Sequence, residues 1–170
     1  MPPNNQPTVT GAGAFLTSLR DPGRNLKDRY KDDPLGLAER FGIKLPKKPV
    51  QVMQELGVYD PERHGPIEPG IRDLVHDVCT LTVKDAVACA NRGGGKSFGA
   101  SFIEFFLWML LDFDCLNLGG SELQADAVYR YMLNYLDDDP YWKTLVRGEP
   151  QREKTYTKED SWVRVLAASQ

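Results

Sequence analysis

Apolar positions are sparse and irregular up to about residue 48, fall into helical spacing after that, and from residue 98 onward are dense enough to predict a core. Pro49 to Leu56 reads as a short helix started by its proline, with Val50, Met53 and Leu56 or Gly57 at roughly helical spacing and Asp60-Pro61 beyond it. Ile71, Leu74, Val75 and Val78 make one apolar face over Ile71–Cys79, a second helix. The run Ala86-Val87-Ala88-Cys89 predicts a short strand. Phe98 to Leu111 is apolar on nearly every side, the pattern of a helix wedged between a sheet and other elements. Cys115 to Leu118 predicts a buried strand with Gly119-Gly120 as its exit turn, and Ser121 with Gln124 three residues on forms a capping-box signature. Leu123, Ala127, Val128, Tyr131, Met132, Tyr135 and Leu136 then carry a helix that stops at Asp137-Asp138-Asp139-Pro140, whose three acids lack calcium-loop spacing and read as a solvated turn. Lys154–Thr157 and Trp162–Ala168, rich in β-branched and aromatic residues around Lys158-Glu159-Asp160, predict a hairpin or strand pair.

The segment before residue 49 fits this pattern least. Pro2, Pro3, Pro7, Gly11 and Gly13 break regular structure, and Leu35, Leu37, Ala38 and Phe41 offer one or two amphipathic turns, so residues 1–48 are expected to be a partly disordered arm. Between Arg20 and Lys48 nine basic residues face five acidic ones, a mild excess read as a solvated linker. With 170 residues, 41% hydrophobic and 26% charged, the chain is ordinary for a globular protein, and a net charge of -3 carries no overall nucleic-acid signature. Cys79, Cys89 and Cys115 lie in apolar surroundings without metal-ligand spacing and read as reduced core thiols, which points to the cytoplasm. No opening segment has the charged-then-apolar pattern of a signal, and the longest apolar run, Phe105–Leu111, falls far short of the ~20 residues of a membrane span.

The chemistry lies between the predicted strand and the long helix. Ala90-Asn91-Arg92-Gly93-Gly94-Gly95-Lys96-Ser97 departs at one position from G-x-x-x-x-G-K-[ST], because Ala90 stands where the first glycine belongs. Such a loop turns successive backbone N–H groups inward around a β-phosphate, its lysine reaches the β- and γ-phosphates, and its Ser or Thr hydroxyl ligates Mg²⁺. A helix directly after it adds its own N–H groups and partial positive charge. The nucleotide-binding candidates are therefore Asn91, Gly93, Gly94, Gly95, Lys96 and Ser97, with ATP and Mg²⁺ as cofactors and Ser97 as the metal's hydroxyl ligand. Lys96 and Arg92 are the catalytic candidates, Arg92 as a basic group that responds to the γ-phosphate in cis.

This loop, with its first glycine missing and a basic residue inside, resembles the deviant Walker A of phage large terminase subunits, the ATP-driven motors that pump DNA into capsids. Leu118–Ala125, with Ser121 and Gln124, is similar to their second strand and the Ser-x-x-Gln helix start, and Trp162–Ser169 to the strand before their acidic Walker B. The likeness covers the second half of the chain, and only the loop is specific. It implies a host-cytoplasmic motor ATPase acting on double-stranded DNA, a ring of copies on a portal, a small-subunit partner, and a nuclease domain further on. Arg147, Arg152, Lys154 and Arg164 are the candidates for DNA contact, against Glu149, Glu153, Glu159 and Asp160, which make the same surface mixed.

Phe106–Leu111 followed by Asp112 imitates a Walker B strand, but the cradle needs a helix after Lys96, and about fourteen residues at 1.5 Å each are required to cross back along a strand. Asp112 is therefore placed at the helix end and not on the metal. His64 and His76 have no partner at catalytic spacing, and Gln54 is a conceivable base contact with packing the better reading. With 170 - 96 = 74 residues after Lys96, no second acidic strand remains to organise Mg²⁺. The expected fold is α/β, a partial P-loop NTPase with a mostly parallel sheet flanked by helices over residues 49–170, truncated before Walker B, behind a 1–48 arm that is irregular or helical. The rival readings are another P-loop translocase or helicase, a small-molecule kinase lacking an obvious Arg-rich lid, and a nucleotide-binding module without turnover.

Overall fold

The computed structural model describes residues 26–45, 48–64, 70–89, 95–152 and 154–168. Among them, helices α1 (Leu26–Tyr30), α2 (Pro34–Arg40), α3 (Pro49–Glu55), α4 (Pro61–His64) and α5 (Ile71–Cys79) precede the long helix α6 (Lys96–Leu111). Strand β1 (Cys115–Gly119), helices α7 (Glu122–Asp138) and α8 (Pro140–Lys143), and strands β2 (Thr155–Tyr156) and β3 (Trp162–Ala167) follow. The fold is mixed α/β, with three strands in the order β1-β3-β2. β1 and β3 pair in parallel from Cys115–Val163 to Gly119–Ala167, joined by a crossover through α7, while β2 pairs antiparallel with β3 only at Thr155–Val163 and Tyr156–Trp162.

Helix α6 is where the core forms. Phe102, Phe105, Phe106, Trp108 and Met109 are at most 1% exposed although they point in several directions, because α5, α7, α1 and β1 all pack on this helix. Its all-round apolar sequence is thus satisfied by neighbours on most sides. Phe105 and Trp142 meet edge to face at 5.3 Å, Phe102 and Tyr135 at 6.0 Å, and Phe41 reaches both Phe105 and Tyr135. Each such pair adds about 0.5–1.5 kcal/mol beyond the area it buries. Ser121 caps α7 by accepting from the Gln124 N–H, as its spacing predicts, and Gly119 brings the end of β1 against the α7 backbone at Ala125.

Five expectations change. Strand β1 is not buried, since Leu116 and Leu118 lie exposed on its open face. Cys89 is exposed and not a core thiol. The sheet is smaller than a mostly parallel P-loop sheet, and residues 85–89 form no strand: the chain there is exposed, with Val87 at 90%. That run offers only one large apolar side chain after Lys84-Asp85, too little to bury against a sheet whose parallel pair is made by β1 and β3. Residues 26–45 are not a solvated linker, since Leu37, Ala38, Ile43 and Leu45 are buried and Phe41 joins the aromatic cluster. Finally, Asp137-Asp138-Asp139 is not wholly a solvated turn. Asp139 is buried, N-caps α8 at the Tyr141 N–H, and binds Arg40 of α2 at 2.7 Å, so a carboxylate read as solvent-facing fastens the N-terminal helices to the core.

Candidate nucleotide-binding site

Gly95, Lys96 and Ser97 head α6, while Asn91, Arg92, Gly93 and Gly94 lie outside the described residues. Gly95 is the N-cap in the left-handed region (φ 75°, ψ 10°), a conformation that favours glycine, and its carbonyl accepts the first helical bond from the Gly99 N–H at 2.8 Å. A glycine N-cap offers no side chain to take the first-turn N–H groups, so the helix end with its partial positive charge faces outward beside the exposed Lys96 and Ser97. Anion binding is the chemistry such an end supports. The residues present fit a phosphate: a left-handed glycine turning directly into a sixteen-residue helix, then an ammonium and a hydroxyl in its first turn. Ser97 would hold Mg²⁺ through its hydroxyl, and the ion would neutralise charge on the phosphates.

Close approach of α5 fixes the tilt of this helix. Gly99 lies against Ile71, and a Cβ there would come within 2.3 Å of the Ile71 side chain. The start of α5 is itself tied down, because Asp73 accepts from the Gly70 N–H at 2.7 Å and from the Gln51 side chain at 2.5 Å. Gly99→Val is expected to push α5 off the first turn of α6 and cost roughly 1–3 kcal/mol by overpacking, read as a lower urea midpoint. An unchanged midpoint would mean the contact is not tight.

Other candidates resolve one by one. Asp112 is the C-cap of α6, in the left-handed region at φ 58°, and its carboxylate is held by Lys27 at 2.6 Å. Sixteen residues of helix put about 24 Å between it and Lys96, so it cannot share an ion with Ser97. His64 accepts from the Asp60 N–H and His76 pairs with Asp77, a capping and a surface role. Gln54 is exposed on α3. Among the basic residues read as DNA contacts, Arg147 is engaged by Asp160, Arg152 by Glu122 and Asp126, and Lys154 stacks over Tyr156 and Trp162. Arg164 stands exposed on the open face of the sheet, beside Leu116 and Leu118 of β1. A groove of about 490 Å³ begins at Phe98 and runs along α7, but its charged liners are Lys44 and Asp138, so it adds one ammonium and no cluster to the loop.

Glu104 is the side chain that motif reading passes over. It is 7% exposed, its Oε1 accepts from the Asn117 side chain at 2.6 Å, and burial pushes its carboxyl up to about 7 against the opposing effect of that bond. A signal was present, since it is the one charged residue between Lys96 and Asp112. Among the described residues no group of three metal-ligating side chains converges, and no helix is long and apolar enough to cross a membrane. No family model matches the chain, and neither a curated protein nor a solved structure matches it.

Proposed function

We propose that this chain is the ATP-binding part of a large terminase subunit, a motor ATPase that packages double-stranded viral DNA into a prohead. The observation that carries the reading is the left-handed Gly95 turning directly into α6 with Lys96 and Ser97 in its first turn. In this reading Gly93, Gly94 and Gly95 cradle the phosphates through their N–H groups, with Asn91 beside them. Lys96 binds the β- and γ-phosphates, Ser97 ligates Mg²⁺, and Arg92 answers the γ-phosphate. Portal, small subunit, ring assembly and a cytoplasmic location belong to the same proposal and rest on the resemblance of the loop, the Ser121-x-x-Gln124 start and the β3 segment.

Lys96→Ala is expected to weaken Mg-ADP binding by about 10- to 150-fold, the equivalent of one hydrogen bond between charged groups. Calorimetric titration reads it directly, and an unchanged affinity would refute the assignment of the loop. A nucleotide-binding module without turnover is favoured by one observation: the acids that follow α6, Asp112 and Asp114, lie at the end of the helix remote from Ser97. In steady-state ATPase assays with and without duplex DNA, stimulation by the duplex refutes the module without turnover, because only a motor is stimulated by its track. Duplex stimulation alone leaves another P-loop translocase or helicase as the competitor.

A further inference from the structure

Glu104 lies two turns along α6 from Lys96, about 12 Å up one continuous helix. Its Oε1 accepts from the Asn117 side-chain amide on β1, whereas its Oε2 is fully buried and has no hydrogen-bond partner among the described residues. Among the described residues no basic side chain forms an ion pair with its carboxyl. From β1 it meets the Cys115 thiol, whose sulfur approaches the Glu104 carbonyl oxygen at 3.9 Å, with Asp114 just before the strand. From α7 it meets Tyr129, whose hydroxyl is shared with Thr155 of β2 at 2.7 Å, and the Asp126 that acts on the same tyrosine is held by Arg130 and Arg152. The charged groups of the other helices on α6 have partners of their own: Asp73 is held by Gln51 beside Arg72, His76 pairs with Asp77, and Lys27 with Asp112.

A carboxyl with one donor, one orphaned oxygen and no cation is tolerated while neutral and is costly once charged. The available relief is movement: α6 must shift on β1 until Oε2 reaches water, and the helix that shifts is the one that carries the loop's lysine and serine. We propose that Glu104 is a proton-linked positioning residue, whose neutral carboxyl seats α6 on β1 through Asn117 and whose ionisation displaces Lys96 and Ser97 from their phosphate-binding position. The proposal rests on the phosphate-binding reading of the loop. A carboxyl whose pKa is raised by folding from the ordinary 4.5 to about 7 contributes its stability fully below 4.5 and loses it as pH climbs through 7. Nucleotide affinity is expected to fall over the same window.

The test compares the full chain with Glu104→Gln, which keeps the acceptor for Asn117 and cannot ionise, and with Asn117→Leu, which removes the donor. Melting temperature and Mg-ADP affinity are followed from pH 5.5 to 8.5. Glu104→Gln is expected to melt above the parent by about 4–8 °C more at pH 8.5 than at pH 5.5, and to bind Mg-ADP about tenfold tighter than the parent only at the higher pH. Asn117→Leu is expected to lose more affinity at pH 5.5, where the neutral carboxyl uses that donor, than at pH 8.5, where the seat is already given up, and it decides the matter should the Gln variant not fold. A melting difference that does not change with pH overturns the proton linkage. A difference that widens while the two affinities stay equal makes Glu104 structural and overturns the positioning role. If no protein binds Mg-ADP at any pH, the phosphate reading fails and the positioning role fails with it, while the melting curves still report whether the carboxyl titrates.

Discussion

Trp142→Ala is expected to remove about 3–5 kcal/mol of stability, a third or more of what a domain of this size holds, and to lower the urea midpoint accordingly. The side chain is fully buried, and its ring stacks edge to face on Phe105 of α6 at 5.3 Å, on Tyr141 at 5.0 Å, and lies 6.5 Å from Phe41. Truncation therefore opens a cavity where the loop helix, the short α8 and the α2 exit meet, and the surrounding rings are too rigid to collapse into it. The indole nitrogen has no acceptor among the described residues, so the loss carries no hydrogen-bond component. Trp142→Phe is accordingly expected to cost less than about 1.5 kcal/mol, since it keeps most of the packing and removes an unsatisfied buried N–H. Equal losses for the two variants would show that the indole makes a polar contact and that the packing account is wrong.

The contrast between what was legible and what was not follows from how each element is encoded. Helix α6, strand β1, the Ser121 cap, α7 and the β2–β3 pair are marked by dense apolar spacing and by residues with a local job, and those signals survive into the structure because local and tertiary preferences agree. The placement of Asp112 at a helix end was legible for the same reason: helix geometry alone excluded a strand. Residues 26–45 were misread because buried positions such as Leu37, Ala38, Ile43 and Leu45 are set among charges in pieces too short for periodicity, and what buries them is a partner elsewhere in the chain. Residues 86–89 failed in the opposite direction. Four small apolar residues look like a strand in sequence, yet a strand exists only by pairing, and pairing partners are invisible along the chain.

The candidate site divides in the same way. Gly95 as a left-handed N-cap is a local requirement, so the motif located it. Glu104 acquires its character only from Asn117, thirteen residues away across a turn, and from a shell of thiol, phenol and aromatic groups, none of which belongs to a motif. The basic residues proposed to meet DNA were judged by charge alone. Three of them are engaged by acids or aromatic rings, which is a fact of pairing that composition does not contain.

The two neighbouring glycines at the end of β1 are expected to respond very differently to the same substitution. A Cβ at Gly119 would stand 2.4 Å from the Ala125 backbone nitrogen and 2.9 Å from its Cα and Cβ, contacts that no rotamer change relieves. Gly119→Ala must then lift the first turns of α7 off the end of β1, straining the Ala168 N–H bond to the Gly119 carbonyl that extends the parallel pairing with β3. The expected cost is roughly 3 kcal/mol from overpacking. At Gly120 the nearest atom is the Gln124 Oε1 at 3.2 Å, the tip of a flexible side chain, so Gly120→Ala is expected to stay within about 0.5 kcal/mol of the parent. Chemical denaturation of the two variants side by side checks this. The argument concerns space and not backbone strain, because neither glycine needs a positive φ. Equal effects would mean that α7 does not sit directly on the end of β1, and the one parallel crossover of the fold would lose its support.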